Sequence, residues 1–245
     1  MRARHPGLTG DHGYVSVCSL NKTPTHRTSP KEQGTGGGGW REKVTTKRLP
    51  AAKRRKQILK SAITVFARST YHGATTKSIS EEAGVTEALI YRYFGSKRAL
   101  FTEGIEYTSE KIVDGLEEIL SDKEDHPVTT LQRCFAYYMN MLERNEEFAR
   151  MIFLVLSELD QQDIRETYLP HQERALKAIA RKIREWKESG FVDDGLDIQT
   201  TAWLFFGTYL ILALVKHSHD TLEFDPEHVV KLAKPYLSKE VFEAL

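Results

Sequence analysis

Side chains able to bind a polyanion are concentrated between Lys53 and Lys97. A run of four basic residues, Lys53 to Lys56, opens this stretch, and threonine, tyrosine, arginine and lysine recur through the rest of it. Cationic side chains neutralise phosphates, while hydroxyls and backbone N–H groups at helix starts bind phosphate oxygens. The stretch therefore has the chemistry needed to bind the backbone of a nucleic acid.

The distribution of charge along the chain supports the same interpretation. The formal charge of the whole chain is +1, but residues 41–101 carry 14 Lys or Arg against 4 Asp or Glu, whereas residues 102–245 carry 16 against 28. The basic segment attracts a polyanion that the acidic remainder repels. The alternative is a basic segment that only keeps the protein soluble.

Two short helices are predicted inside the basic segment, at 76–83 and 86–94, with Gly84 in the turn between them. Thr76 and Thr86 are expected to cap them, because threonine hydroxyls accept from the free N–H groups at a helix start. Glycine adopts the left-handed conformation that ends a helix. Together they form a helix-turn-helix, in which the second helix can enter a major groove about 12 Å wide.

The rest of the chain is also predicted to be helical. Apolar residues recur at helical spacing from Pro50, and a long helix capped by Ser96 begins near Lys97. No segment alternates polar and apolar residues as a strand would, so the fold class is all-α. Further helices are predicted at 128–144, at 146–158, from near Pro170 to Gly190, at about 197–216 and at about 226–237.

Three blocks of sequence within residues 54–101 resemble the DNA-binding domain of the TetR family. The resemblance implies an N-terminal three-helix helix-turn-helix DNA-binding domain at 50–98, followed by a helical ligand-binding and dimerisation domain at 99–245. Ser80, Ala88 and Tyr93 depart from the usual pattern, which leaves base preferences open. The matching residues are Ile58, Ala62, Phe66, Thr76, Ile79, Gly84, Val85, Tyr91, Phe94, Ser96, Lys97 and Leu100.

The resemblance implies a set of DNA-contacting residues, each with a simpler alternative role. Thr76 could be only a cap, Glu87 could only complement the helix dipole instead of accepting from cytosine, and the tyrosines could only pack. The basic run could be a flexible arm or only a solvated helix entry. The expected residues are Lys53, Arg54, Arg55, Thr76, Lys77, Thr86, Glu87, Ala88, Leu89, Tyr91, Arg92, Tyr93 and Lys97.

An apolar run at residues 202–215 predicts the dimer interface that the family builds from four helices. A soluble helix that is apolar all round must bury both faces, one on its own core and one on a partner. The alternative is a central helix in a monomer. At 14 residues the run is too short to cross a membrane, for which about 20 are needed. The residues expected at the interface are Leu204, Leu210, Ile211, Leu214, Val229, Ala233 and Tyr236.

Aromatic and methionine side chains in the carboxyl-terminal half could line a pocket for a lipophilic or aromatic ligand. At helical spacing such residues could equally form ordinary core. The expected pocket residues are Phe135, Tyr138, Met139, Leu142, Met151, Ile152, Tyr168, Trp203, Phe206 and Tyr209.

Several classes of function are disfavoured. Motifs of serine hydrolases, zinc proteases and P-loop enzymes are missing from the sequence, so catalysis and cofactors are not expected. His217 and His219 point apart on one helix, which argues against a metal site. Cys18 and Cys134 do not suggest a disulfide framework, which fits a cytoplasmic protein. Residues 1–49 are expected to form a disordered extension, and translation could begin near Val44.

The predicted function is therefore a homodimeric transcriptional regulator. It would be a repressor released from a palindromic, inverted-repeat operator in double-stranded DNA by a small ligand, with no membrane partner. The alternatives are an activator, or a DNA-binding or architectural factor that takes no ligand.

Overall fold

The computed structural model describes residues 49–122, 126–218, 231, 234–239 and 241. These residues form eight α-helices and one 3-10 turn, with one isolated antiparallel bridge between Val192 and Leu237. The all-α prediction is confirmed. The helices are α1 (Ala51–Gly73), α2 (Thr76–Ala83), α3 (Glu87–Phe94), α4 (Lys97–Leu120), α5 (Pro127–Arg144), α6 (Glu146–Ser157), α7 (Gln162–Glu188) and α8 (Ile198–Ser218), and the 3-10 turn is Lys234–Tyr236.

The start of α2 corrects one prediction. Thr75, and not Thr76, is the cap: its hydroxyl accepts from the backbone N–H of Ser78 at 3.0 Å, and the Ser78 hydroxyl accepts from the backbone N–H of Thr75 at 3.1 Å. This reciprocal pair satisfies two free donors at once, which a cap at Thr76 would not do. Thr76 is therefore the first residue of the helix, and its hydroxyl is left for other contacts.

The ends of α2 and α3 follow the predicted glycines. Gly84 has φ 61° and ψ 40°, the left-handed conformation that a side chain with a Cβ adopts only at a cost. Thr86 precedes α3, but its side chain makes no capping hydrogen bond. Ser96 caps α4 as predicted, since its hydroxyl accepts from the backbone N–H of Ala99 at 3.0 Å.

One hydrophobic core connects the three amino-terminal helices to the carboxyl-terminal body, which consists of α4 to α8. It contains buried residues of α1 to α4, and it continues into α6 through Met151 and Val155 and into α7 through Ile164. At its centre the rings of Phe66 and Phe101 meet edge to face, 4.9 Å apart. Because these residues pack together, α1 to α3 are held on the body by apolar contact.

The start of α7 differs from the prediction. The helix begins at Gln162 and contains Pro170 in its interior, whereas the sequence suggested a start near Pro170. The earlier turns are held because Ile164 and Tyr168, four residues apart, pack on the core that is shared by α6 and the helices α1 to α4. Pro170 is exposed, so the carbonyl that its ring deprives of an N–H partner lies where water can bind it.

Helix α8 is longer than the apolar run that predicted it. With 21 residues it is long and apolar enough to cross a membrane by length and composition alone, which the 14-residue run was not. The core helix of a globular protein satisfies the same two criteria. This helix packs against α6 and α7 on one side, and its other side is the apolar face described below.

Candidate nucleic-acid interface and interior cavity

Helix α3 presents a solvent-facing side and a core side. Ile90 and Phe94 are buried, and Leu89 and Tyr93 are half-buried against the same core. The outer side carries exposed residues, among them Tyr91, whose side chain is 49% exposed. Of the residues predicted to contact DNA, Leu89 and Tyr93 therefore take the packing role in large part. The exposed members on α3 and at its start are Thr86, Glu87, Ala88, Tyr91 and Arg92.

A hydrogen-bonded cluster fixes the outer side of α3 against the start of α2. The Thr76 hydroxyl donates to Glu87 Oε2 at 2.5 Å and lies 3.4 Å from the Tyr91 hydroxyl. One Glu87 oxygen is thus used within the protein, in addition to any effect on the helix dipole. The cluster gives the two short helices a defined mutual orientation at the surface.

Two cations are sequence neighbours of this cluster. Lys77 on α2 and Arg92 on α3 are both exposed, and within residues 49–122 and 126–218 neither makes an ion pair. Exposed cations without an ion pair are available to phosphates. Both residues are among those that the sequence predicted to contact DNA.

The basic run lies inside α1, so it is helical and not a flexible arm. Arg54 donates to Gln57 Oε1 at 2.9 Å. Arg55 forms a two-point ion pair with Glu103 of α4, and its guanidinium lies 4.7 Å from the centre of the Phe94 ring. Arg55 thus links α1 to α4, whereas Lys53 is exposed. Because Lys53 is exposed in the first turn of α1, a solvated helix start describes it better than a flexible arm.

Lys97 has a structural role that sequence analysis missed. Its ammonium donates to the carbonyl oxygens of Tyr71 and Ala74, at 3.0 Å each, and lies 4.5 Å from the centre of the Tyr71 ring. These carbonyls stand where α1 ends and receive no helical N–H bond, so a cation stabilises them. A lysine at the start of α4 is thereby explained without DNA.

Arg98 joins the start of α4 to the start of α7. Its Nε and Nη2 donate to the two carboxylate oxygens of Asp163, at 2.6 and 2.5 Å. The hydrogen bond and the charge of the guanidinium hold the pKa of Asp163 below its usual range. The two residues are 65 positions apart, so the spacing of residues in the sequence could not predict that they pair.

An interior cavity of about 70 Å³ lies among α4, α5, α6, α7 and α8. Phe135, Met139 and Leu142 are buried but do not line it, and Trp203 is exposed. Six of the predicted residues line it, namely Tyr138, Met151, Ile152, Tyr168, Phe206 and Tyr209.

The lining contributed by α4 was not predicted, and from α7 only Tyr168 was predicted. From α4 come Ile105, Thr108 and Ser109, and from α7 come His171 and Gln172. The pair Thr108 and Ser109 could have indicated that α4 lines the cavity, because these two polar residues are buried on an otherwise apolar face of the helix. Leu210, predicted at the dimer interface, also lines the cavity.

Burial keeps one thiol and two phenol groups around the cavity neutral. Burial raises the pKa of the Cys134 thiol to about 11, and burial also raises the pKa of Tyr138 and of Tyr209 above the usual range. The rings of Tyr138 and Tyr209 meet edge to face, 5.0 Å apart. The cavity thus has an aromatic and uncharged wall on this side.

The outer face of α8 is apolar and exposed. Leu204, Ile211 and Leu214 are between 51% and 60% exposed, and Trp203 stands beside them at 60%. Gly207 lies on the same side of α8 as these leucines and Ile211, which together form the apolar stripe of α8. A Cβ added at Gly207 would meet no other atom within 4 Å, so the space in front of it is open. Tyr236 is half-buried near Phe205, with ring centres 6.4 Å apart. Val229 and Ala233, also predicted at the dimer interface, lie outside the described residues.

Comparisons with known proteins agree with this arrangement. The sequence model of the family described as bacterial regulatory proteins, tetR family, matches residues 58–103. The transcriptional activator FasR of Mycolicibacterium smegmatis is 29% identical over 106 residues, which cover 43% of this chain and 48% of FasR. The nucleoid occlusion factor SlmA of Shewanella pealeana is 31% identical over 106 residues, which cover 42% of this chain and 52% of SlmA.

These matches span about half the length of each relative, and the fold extends the similarity further. The structure of FadR from Bacillus subtilis, solved in complex with stearoyl-CoA, superposes with a TM-score of 0.61 at 22% identity. The superposition covers 72% of this chain and 96% of FadR. The amino-terminal sequence of this chain is thus similar to that of the TetR family of bacterial regulatory proteins, and its all-helical fold is similar to that of FadR.

Proposed function

We propose that this chain is a DNA-binding transcriptional regulator that acts in the cytoplasm as a homodimer, and that it is a repressor released from an inverted-repeat operator by a small lipophilic or aromatic ligand. The observation that carries the proposal is the exposed outer side of α3, which the Thr76–Glu87–Tyr91 cluster fixes against α2, together with the exposed cations Lys77 and Arg92 on these two helices. A helix so exposed and so fixed can enter a major groove, while the two cations reach the flanking phosphates.

A dimer follows from the other end of the molecule. An exposed apolar stripe along one helix is costly in water, and a second copy of the same stripe would cover it. The two α3 helices of such a dimer could then occupy successive major grooves, about 34–36 Å apart, which is the spacing that an inverted repeat provides.

Release by a ligand would use side chains that serve two purposes. Ile105 and Met151 belong to the core beneath α1 to α3, and both also line the cavity. A ligand that displaces either one changes the packing of Gly104 on Ile63, where a Cβ at Gly104 would already lie 3.3 Å from Ile63 Cγ1. A coupling free energy of roughly 1–3 kcal/mol between the two sites would give measurable release.

The first test is selection of bound sequences from random duplex DNA. We expect a palindrome, and we expect the logarithm of the affinity to fall linearly with the logarithm of the salt concentration. The names of FasR and SlmA point to an activator and to a factor that acts on the nucleoid. A reporter gene placed behind the selected palindrome separates repression from these two alternatives.

Arg92→Ala tests the docking of α3. We expect weaker binding to the selected operator, and we expect the salt slope to fall by about one unit if Arg92 neutralises one phosphate. Lys177→Ala is the matched control, because Lys177 is an exposed cation on α7 that pairs with Glu173. Fluorescence anisotropy at several salt concentrations measures both quantities. Equal effects of the two substitutions would contradict the proposed interface.

Lys97→Ala tests a residue with two roles. Loss of its hydrogen bonds to two carbonyls should lower the free energy of unfolding by about 1.5–3 kcal/mol, as for hydrogen bonds to a charged group. If Lys97 also binds a phosphate, operator affinity should weaken on every DNA sequence and the salt slope should fall by about one unit. Lys97→Met is the control that retains the apolar stem over Tyr71. An unchanged affinity in both variants would leave Lys97 with the structural role alone.

A further inference from the structure

His171 is a buried imidazole with one nitrogen in use and one unsatisfied. Its side chain is 7% exposed, and its Nε2 lies 3.0 Å from Glu106 Oε2 on α4. Its Nδ1 is buried and has no hydrogen-bond partner among the described residues. His171 lines the interior cavity, so the unsatisfied nitrogen belongs to a residue of the wall.

Glu106 determines which proton the ring carries. A carboxylate only accepts hydrogen bonds, so the proton of the neutral ring lies on Nε2 and is donated to Glu106. Nδ1 then carries a lone pair and accepts a hydrogen bond. A buried acceptor without a donor is costly, so a ligand that supplies the donor is favoured over one that does not.

Charge restricts the ligand further. No Lys or Arg is among the described residues that line the cavity. If His171 became an imidazolium, Glu106 would already compensate its charge. A ligand carboxylate would therefore enter an apolar site without a cation of its own, which is strongly unfavourable. A neutral hydroxyl supplies the donor without this penalty.

The size and the wall of the cavity favour an aromatic ring. Tyr138, Tyr168, Phe206 and Tyr209 contribute rings to it, and aromatic rings pack edge to face with one another. The cavity volume of about 70 Å³ is below the roughly 150 Å³ of an engineered cavity that holds benzene. A small ring therefore enters, and reaches the enclosed Nδ1 of His171, only if a flexible side chain such as that of Met151 moves aside.

We propose that the cavity binds a small neutral phenol whose hydroxyl donates to Nδ1 of His171, with Glu106 fixing the ring tautomer that makes this nitrogen an acceptor. The proposal rests on the ligand-controlled function above and names the chemical class of the effector. His171 is the specificity determinant, and the tyrosine and phenylalanine rings supply the apolar contact.

The test compares four matched compounds on the full chain by isothermal titration calorimetry. The phenol is 4-ethylphenol, ethylbenzene lacks the hydroxyl, 4-ethylanisole keeps the oxygen but cannot donate, and 4-ethylbenzoate is charged. We expect 4-ethylphenol to bind roughly tenfold or more tightly than 4-ethylanisole and ethylbenzene, and 4-ethylbenzoate not to bind. Equal affinity for the phenol and the anisole, or no binding of the phenol, would overturn the proposal without any substitution.

Two substitutions locate the effect at His171. In His171→Leu the preference for 4-ethylphenol over ethylbenzene should fall about tenfold, whereas His171→Asn, which keeps an acceptor oxygen near the place of Nδ1, should retain most of it. Circular dichroism establishes that each variant folds. A preference that survives in His171→Leu would assign the hydroxyl to another group and would overturn the proposal.

Operator binding of the unliganded chain separates this inference from the proposed function. If the chain binds a palindrome with a normal salt slope but ignores 4-ethylphenol, the phenol site is wrong and the DNA-binding function stands. If 4-ethylphenol binds but no duplex does, the cavity assignment stands as ligand binding and the regulatory function falls.

Discussion

Replacing Ile211 with glutamate is expected to separate the dimer into monomers and to weaken operator binding by at least about two orders of magnitude. Ile211 is 60% exposed in the single chain and lies on the apolar stripe of α8 with Leu204 and Leu214. In the proposed dimer it would be buried, and a carboxylate without a cation is strongly unfavourable in an apolar interface. A monomer offers one α3 helix and forgoes the gain in affinity that comes from linking two binding heads.

Leu169→Glu is the matched control for this substitution. It introduces the same side chain at an exposed leucine of α7 that lies outside the α8 stripe. Analytical ultracentrifugation measures the mass in solution, and anisotropy measures operator affinity. The interface is misassigned if Ile211→Glu remains dimeric, or if Leu169→Glu dissociates to the same extent.

Phe101→Ala is expected to lower the free energy of unfolding by about 3–5 kcal/mol, the range typical of a buried phenylalanine reduced to alanine. Phe101 is fully buried, and its ring packs on Phe66 and Tyr71 of α1. The cavity left behind would lie in the core that joins α1 to α3 to the body. We therefore expect operator binding to fall together with stability.

Tyr91→Ala is expected to weaken DNA binding with little loss of stability, in contrast to Phe101→Ala. Tyr91 is an aromatic residue of similar size but is half exposed on α3, so its removal should change stability far less than the removal of Phe101. The same substitution should still weaken DNA binding. Denaturant unfolding followed at one protein concentration measures stability, because the stability of a dimer depends on concentration. An equal drop in stability in the two variants would contradict the contrast between a buried Phe101 and a half-exposed Tyr91.

The amino-terminal helices could be predicted closely because their signals are local. Gly84 and Ser96 each act within a few residues of their own position, and the structure places both as expected. Thr75 was missed because its cap depends on a reciprocal partner at Ser78, although that spacing was readable. The start of α7 was missed because the anchoring of Ile164 is a tertiary contact that outweighs the signal of Pro170.

The candidate sites divide in the same way. The apolar run of α8 predicted an unpaired face, because a helix that is apolar all round must bury both sides. The ligand cavity was only partly predictable, since helical periodicity states which residues share a face but not which faces meet. Lys97 and His171 illustrate this limit, because the partners that define their roles lie 26 and 65 residues away.

Ile105 and Met151 belong both to the core beneath α1 to α3 and to the wall of the cavity. This limits the substitutions by which the cavity can change its ligand. A substitution at either position that reshapes the cavity for another ligand also loosens the packing of α1 to α3, the helices proposed to bind DNA. We therefore expect adaptation to new ligands to change the cavity walls that α5 and α8 supply, at positions such as Tyr138 and Phe206. A change of shape there leaves the packing of the proposed DNA-binding helices unaltered.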